Sequence, residues 1–335
     1  MFVMRYALGR GLILTLAFLV PAFYSSAGEA VVSVYKLARE WGGGAEDETR
    51  LGNVKGLAVG PQGYIYVCET RGKDSKPGLK ILNSSGSVID AWASGGSRPY
   101  ELYSPRDIAV GSSGNVYIAE GGSPRVKSFT PSGSYFGGWE EATRVNVGWD
   151  RVAAGYSNTV YAADNGFDNN YNCIRRFTAS GSLITEWGRW GSADGEFMGI
   201  ADLDVAPNGN VYVADSSNYR IQYFSADGLF LGKWGVEGPG PGEFNLPSHV
   251  AVGPAGTVFV ADSVPADGNY RVQYFTPSGE YLGAFRFPDH GEFGEPKIRI
   301  YTIAGLTVGP DGAVYVADSF TRTIKVFEPA RSEEK

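Results

Sequence analysis

Six copies of one pattern occupy nearly the whole chain, and a chain built that way has few folds open to it. The clearest copy runs from Asp204 to Gly235. It holds four short apolar runs, Leu203–Ala206, Val211–Ala214, Arg220–Phe224 and Leu229–Trp234. Turn residues separate them: Pro207-Asn208-Gly209, Asp215 to Asn218, and Ala226-Asp227-Gly228. Runs of this length, rich in Val, Ile, Tyr and Phe and bounded by Gly, Asn, Asp and Ser, read as strands joined by tight turns. Four such strands make an antiparallel meander. One meander cannot bury both of its faces, whereas a closed ring of stacked meanders can.

The copies align position by position. The second strand reads IYVCE, VYIAE, VYAAD, VYVAD, VFVAD and VYVAD, ending at Glu69, Glu120, Asp164, Asp215, Asp262 and Asp318. The fourth ends at Trp92, Trp139, Trp187, Trp234 and Phe285. The sixth copy has no fourth strand after Phe327, but Ser33–Gly43, SVYKLAREWGG, matches the fourth-strand text near Ser182–Gly191. That segment is expected to complete blade six and close the ring, leaving no open sheet edge. The expected fold is all-β: a six-bladed β-propeller of four-stranded antiparallel blades, at about 54–92, 105–139, 148–187, 199–234, 247–285, and 302–328 with 32–41. The repeated text VAVGPxGxVYVADxxNxRIQxF, with the inter-blade loops Gly195-Glu196-Phe197, Gly242-Glu243-Phe244 and Gly291-Glu292-Phe293, resembles the NHL-repeat family of six-bladed propellers. The resemblance implies the fold and leaves function open, because sites are grafted on folds.

Residues 1–27 read as a secretory signal peptide: Arg5 and Arg10, an apolar run Gly11–Val20, then Pro21 and the small residues Ser25-Ser26-Ala27. The run is shorter than the roughly 20 residues a bilayer span needs, and an uncleaved anchor is the alternative. The propeller is expected over 30–330 as one domain, with 331–335 a charged tail. A net charge of −7 argues against nucleic acid, whose phosphates require a basic face. Cys68 stands where other copies carry Ala119, Ala163, Ala214, Ala261 and Ala317, so it reads as a small core thiol, and no bond to Cys173 is expected.

Ligand chemistry on such a ring is expected at the mouth, where loops enter each first strand and leave each second strand. The first strands begin with Lys55-Gly56, Arg106-Asp107, Asp150-Arg151, Ala201-Asp202, Ser248-His249 and Ala304-Gly305. Varied polar residues at equivalent positions serve either as solvated loop ends or as a polar pocket. As a pocket, Lys55, Arg106 and Arg151 would take the anionic end of a ligand, and Asp202 and His249 an amine or hydroxyl, with Asp107 a further ligand-binding candidate. Trp149, in a slot otherwise held by Val54, Pro105, Ile200, Pro247 and Ile303, is the candidate for stacking on a ligand.

The six second-strand acids could cap the turns that follow them or line a cation site. Blades two, four and five place Arg125, Arg220 and Arg271 opposite the acid. Glu69, Asp164 and Asp318 lack that arginine, which makes them the candidates for metal. The loop after the acid is long in blades one, three and five and short in the others. Three raised loops are therefore expected, and Phe167, Tyr171 and Tyr270 could grip a partner there. Asn165 to Asn172 is rich in oxygen donors of the kind calcium takes. Lyases on related propellers rely, as the resemblance implies, on mouth histidines and a metal. This chain has two histidines, His249 and His290, too few for a three-histidine zinc site. His249 beside Asp202 is the candidate acid–base pair. The reading is a secreted or cell-surface binding domain, monomeric, without a required cofactor, for an extracellular protein, peptide or glycan. The alternative is a metal-assisted lyase or hydrolase at the mouth, with calcium or zinc.

Overall fold

The computed structural model describes residues 23–24, 30–31, 34–42, 51–71, 76–121, 125–140, 149–165, 172–264, 269–286 and 303–330. The chain divides into two units, Met1–Val32 and Ser33–Lys335. In the first, Phe23–Tyr24 pairs antiparallel with Ala30–Val31. The second holds six four-stranded antiparallel sheets, each with its strands in sequence order from the inside of the ring outward. The exception is the sheet of Ile303–Val308, Val314–Asp318 and Thr323–Pro329, whose fourth strand is Tyr35–Gly42 from the other end of the chain. Ile324 faces Trp41 there, the register that Ile221 and Trp234 adopt in blade four. The ring thus closes as the repeat pattern requires.

The repeat residues pack between blades. Tyr66, Tyr117, Tyr161, Tyr212, Phe259 and Tyr315, all from second strands, are buried. Each fourth-strand Trp lies against a turn glycine of the following blade. A Cβ added to Gly133, Gly181, Gly228 or Gly279 would fall 2.5–2.8 Å from Trp92, Trp139, Trp187 or Trp234, and one on Gly86 would meet Trp41 at 2.3 Å. These turn glycines also sit at φ between +80° and +91°. Both the space and the backbone therefore demand glycine.

The inter-blade loops are fastened by the third strand. Arg220 donates to the carbonyls of Ser192, Ala193 and Glu196, and Arg271 to those of Pro239, Gly240 and Glu243. Gln222 and Gln273, one pleat further on, bond the same Glu196 and Glu243 carbonyls. Phe197 and Phe244 are fully buried beneath these loops. This is the physical content of the Gly-Glu-Phe motif in its second-unit copies at 195–197 and 242–244; the copy at 291–293 lies outside the described residues.

The loop-length alternation has a definite form. In blades one, three and five the second and third strands run seven residues each, Ile65–Arg71 with Lys76–Leu82, Thr159–Asn165 with Asn172–Thr178, and Val258–Val264 with Asn269–Phe275. The second strands of blades two, four and six run five. Much of the extra length is hairpin, extended past the acid by pairs such as Arg71 with Lys76 and Val264 with Asn269. Cys68 and Cys173 are both buried and unbonded to each other.

Candidate functional site

A bulge shapes the start of the first strand in every blade but the fifth. Pairing jumps from Val54 to Gly56, Pro105 to Asp107, Trp149 to Arg151, Ile200 to Asp202 and Ile303 to Gly305. Two residues there oppose one on the second strand, and such bulges re-aim side chains at functional rims. The residue pairs read from sequence as one position each therefore separate. Lys55, Arg106, Asp150, Ala201 and Ala304 are bulge residues. Gly56, Asp107, Arg151, Asp202, His249 and Gly305 form a ring at the first regular ladder position.

Most of that ring is spent on joining blades. Asp107 accepts the Ile108 amide of its own strand at 2.8 Å and the Val152 amide of blade three at 3.0 Å. Asp202 does the same with Leu203 at 2.9 Å and Val250 of blade five at 3.0 Å. Asp204, one pleat on, accepts Val205 at 2.8 Å and Val252 at 2.7 Å. Three carboxylates thus stitch neighbouring inner strands through amides that face the channel. At the glycines the strands themselves come close: a Cβ on Gly56 would lie 2.9 Å from the Ile108 nitrogen, and one on Gly305 2.7 Å from the Leu57 Cβ. Arg151 donates to the carbonyls of Ala201 and Asp150, and its Nε lies 3.9 Å from Asp202.

The electrostatics follow from burial. Burial pushes Asp107 and Asp204 up to about 6, against the pull of the bound amides and, at Asp107, of Arg151. Burial and then the Asp107 carboxylate hold Asp202 well above the usual carboxylate range. Burial, and then Arg151, pushes the His249 imidazole down to about 3. A neutral ring at the working pH is a poor match to acid–base work near neutrality.

These residues border a cavity of about 320 Å³ in the channel. It runs from Asp107, Asp202, His249 and Gly305 along the inner strands to the turns that lead into the second strands, at Pro61, Ser112, Tyr156, Pro254 and Pro310. Of the residues expected to form a mouth pocket, Asp107, Asp202 and His249 line it. Lys55, Arg106 and Arg151 do not, and Arg106 is exposed. The Trp149 side chain, Phe167 and Tyr171 lie outside the described residues, as do 166–171 of the oxygen-rich stretch. Tyr270 is half-buried opposite Ser263. Asp204 was not singled out from sequence, although it stands alone against Ala58, Ala109, Ala153 and Ala251 at its repeat position.

The second-strand acids do something other than the capping expected of them. Glu69 accepts the Gly52 amide at 2.6 Å, Glu120 that of Tyr103 at 2.7 Å, Asp215 that of Met198 at 2.9 Å, and Asp262 that of Asn245 at 2.7 Å. All four donors occupy one repeat position in the loop arriving from the previous blade. Asp318 caps its following turn, through Phe320 and Thr321. The acids therefore tie blade to blade, because the incoming loop brings bare amides to them. Asp215 and Asp262 also pair with Arg220 at 2.8 Å and Arg271 at 2.9 Å. Glu69, which lacks the local arginine as expected, has Lys80 at 4.0 Å, and Glu120 has Lys127 at 2.9 Å. The cation comes from two residues further along the third strand. Among the described residues no group of three or more His, Cys, Asp or Glu is placed to hold a metal ion.

The same face carries exposed apolar side chains. Tyr103, Met198 and Leu246 sit in the loops leading into first strands, and Phe320 follows the second strand of blade six; Tyr103 is 71% and Phe320 65% exposed.

The NHL repeat family matches residues 197–224. No curated protein matches the chain. Among solved structures, a streptogramin B lyase aligns over 90% of this chain and 100% of its own, at 15% identity and a TM-score of 0.56. Virginiamycin B lyase from Staphylococcus aureus aligns over 89% of this chain and 100% of its own, at 14% identity and a TM-score of 0.52. A protein of unknown function from Bacteroides thetaiotaomicron aligns over 85% of this chain and 71% of its own, at 13% identity and a TM-score of 0.60. At these identities the likeness is one of fold.

Proposed function

We propose that this six-bladed propeller with an NHL repeat is a binding domain, secreted or held at the cell surface, that takes an extracellular protein, peptide or glycan on the face where the first strands begin. The observation that carries the reading is the set Tyr103, Met198, Leu246 and Phe320, exposed apolar side chains on loops whose backbone the second-strand acids hold rigid. Rigid aromatic anchors are favourable contacts because they lose little entropy on binding. The hairpins of blades one, three and five extend from the same face. Secretion is supported by the charge and apolar pattern of residues 1–27. In this reading Asp202 and His249 serve the ring rather than a reaction.

A metal-assisted lyase or hydrolase is the second reading. It draws on Asp202 and His249 lining one cavity from adjacent blades, and on the lyases among the structures of similar fold. The two readings separate by experiment. Glycan and peptide arrays are probed with the mature protein, with a Tyr103→Glu/Phe320→Glu variant, and with Tyr64→Glu on the opposite turns. The binding reading expects a saturable ligand lost in the first variant and kept in the second. Binding that ignores Tyr103 and Phe320, or turnover that needs Asp202 and a divalent metal, would overturn it.

A further inference from the structure

The cavity opens away from the face just discussed, and no role has yet been given to it. Its rim residues Pro61, Ser112, Pro254 and Pro310 are exposed, as is Tyr156, so solvent reaches it from the turn side. At the end where the first strands begin stand Asp107, Asp202 and His249, with Asp204 on the wall. The walls between are inner-strand valines and alanines.

His249 is 9% exposed. Ser248 Oγ lies 3.4 Å from the Ala261 carbonyl and 3.1 Å from His249 Nδ1; with the hydroxyl turned to that carbonyl, Nδ1 carries the proton. Nε2 is then a bare acceptor. It has no hydrogen-bond partner among the described residues, and His249 lines the cavity. Each of the three carboxylates accepts two amides, which leaves further lone pairs on its oxygens. Ionised Asp107 and Asp204, with Nε2, offer acceptors here, while burial and then the Asp107 carboxylate favour the protonated form of Asp202. Arg151 answers part of the charge from beside Asp202, but its Nε and Nη1 protons go to backbone carbonyls and it does not line the space. A set rich in acceptors, with Asp202 and His249 buried and Asp107 and Asp204 half-buried, favours a ligand that supplies donors and positive charge.

We propose that this half of the channel binds a small organic cation, a primary ammonium or guanidinium with an apolar tail, whose charged head sits among Asp204, Asp107, Asp202 and His249 Nε2 while the tail lies along the valine walls toward Ser112 and Tyr156. The volume of about 320 Å³ is at the small end of ligand sites, which selects a compact amine over a peptide or oligosaccharide. An organic head suits the cavity better than a metal ion, because no three of these donors are placed for coordination. Burial raises the protonation range of Asp107 and Asp204 to about 6, and a bound cation stabilises both carboxylates, so binding near pH 6 releases protons. Arg151, His249, Asp202 and Tyr156 are the other titratable groups facing them. This inference does not depend on the loop-face reading, since it concerns the opposite opening.

The test uses the full mature chain and three probes of one shape: 2-phenylethylamine, 2-phenylethanol and 3-phenylpropionate. Calorimetry and thermal melts are run on wild type, Asp204→Asn and Ser112→Trp. The second variant narrows the rim from an exposed turn and leaves every carboxylate in place. The amine is expected to bind one-to-one and raise the melting temperature, with the alcohol and the acid inert. Both variants should weaken it about tenfold or more, the loss of one charge-assisted contact or of access. Calorimetry at pH 6 in buffers of different ionisation heat should show proton release. The proposal is overturned if the amine fails to saturate wild type, if the alcohol binds as well, or if binding is unchanged in Ser112→Trp.

Discussion

Replacing His249 by Gln separates a structural imidazole from a catalytic one, and the size of the effect follows from its surroundings. The ring is 9% exposed and its protonation is pushed down from 6.5 to about 3 by burial and then by Arg151. Between those two values the unfolded chain binds the proton and the folded chain does not. The neutral ring therefore contributes stability that is present above about pH 6.5 and lost as the pH falls toward 3. At pH 5 the gap spans about 1.5 pH units, and the loss relative to pH 7.5 is about 2 kcal/mol. The neighbouring carboxyls work the other way. Asp107 and Asp204, raised to about 6, favour the folded state most below pH 4 and lose that contribution as the pH rises through 6. Their effect is common to both proteins and cancels in the comparison. Urea unfolding of wild type and His249→Gln at pH 7.5 and 5.0 gives the four free energies needed. Wild type should lose about 2 kcal/mol more than the variant on acidification. A difference under roughly 0.5 kcal/mol would mean that the imidazole titrates as it does in water. It would then be solvated and available as an acid–base group, and the assignment of His249 to the ring would fail.

Three further outcomes follow from the blade contacts. Arg220→Ala leaves Asp215 buried without its guanidinium and frees the carbonyls of Ser192, Ala193 and Glu196, so it should cost about 3–5 kcal/mol in a denaturant titration. Gly228→Ala meets Trp187 at 2.6 Å at a φ of +85° and should cost about 2–5 kcal/mol, whereas Gly312→Ala, at φ +81° with nothing within 4 Å, should cost only the backbone part, about 1–2 kcal/mol. Equal losses at the two glycines would remove the Trp contact from the explanation. Trp41→Ala takes the closing strand off Gly86 and Tyr315 and should lower stability by about 3 kcal/mol in one cooperative transition; unfolding of blade six alone would show that closure does not hold the ring.

The architecture was legible because it is local and repeated. Strand pattern, Trp series and turn glycines recur at fixed spacing, and the orphan fourth strand at Ser33–Gly43 carries the same text as its relatives. The alternation of loop lengths also survived, as hairpins extended past the acid. What could not be read depends on contacts between blades. The second-strand acids were expected to cap the next turn, but the incoming loop reaches them first, and its amides are far away in sequence at Gly52, Tyr103, Met198 and Asn245. Lys80 and Lys127 were missed because they stand one pleat beyond the arginine slot, and the Arg125 side chain expected to face Glu120 lies outside the described residues. The bulge at the first strand divides Lys55 from Gly56 and Arg106 from Asp107, so a single expected pocket became a loop rim and an inner ring. Asp204 was a signal in plain view, a lone carboxylate at a position held by four alanines and Thr307 in the other blades.

The most direct test of a binding domain whose channel acids hold its blades together is the metal content of the mature protein, by native mass spectrometry, with thermal melts in the presence and absence of a chelator. The account predicts no stoichiometric metal and an unchanged melt, because among the described residues no three His, Cys, Asp or Glu side chains are placed to hold one. One tightly held metal per chain, lost in Asp202→Asn and missed by the fold when removed, would contradict it and make the channel a metal centre.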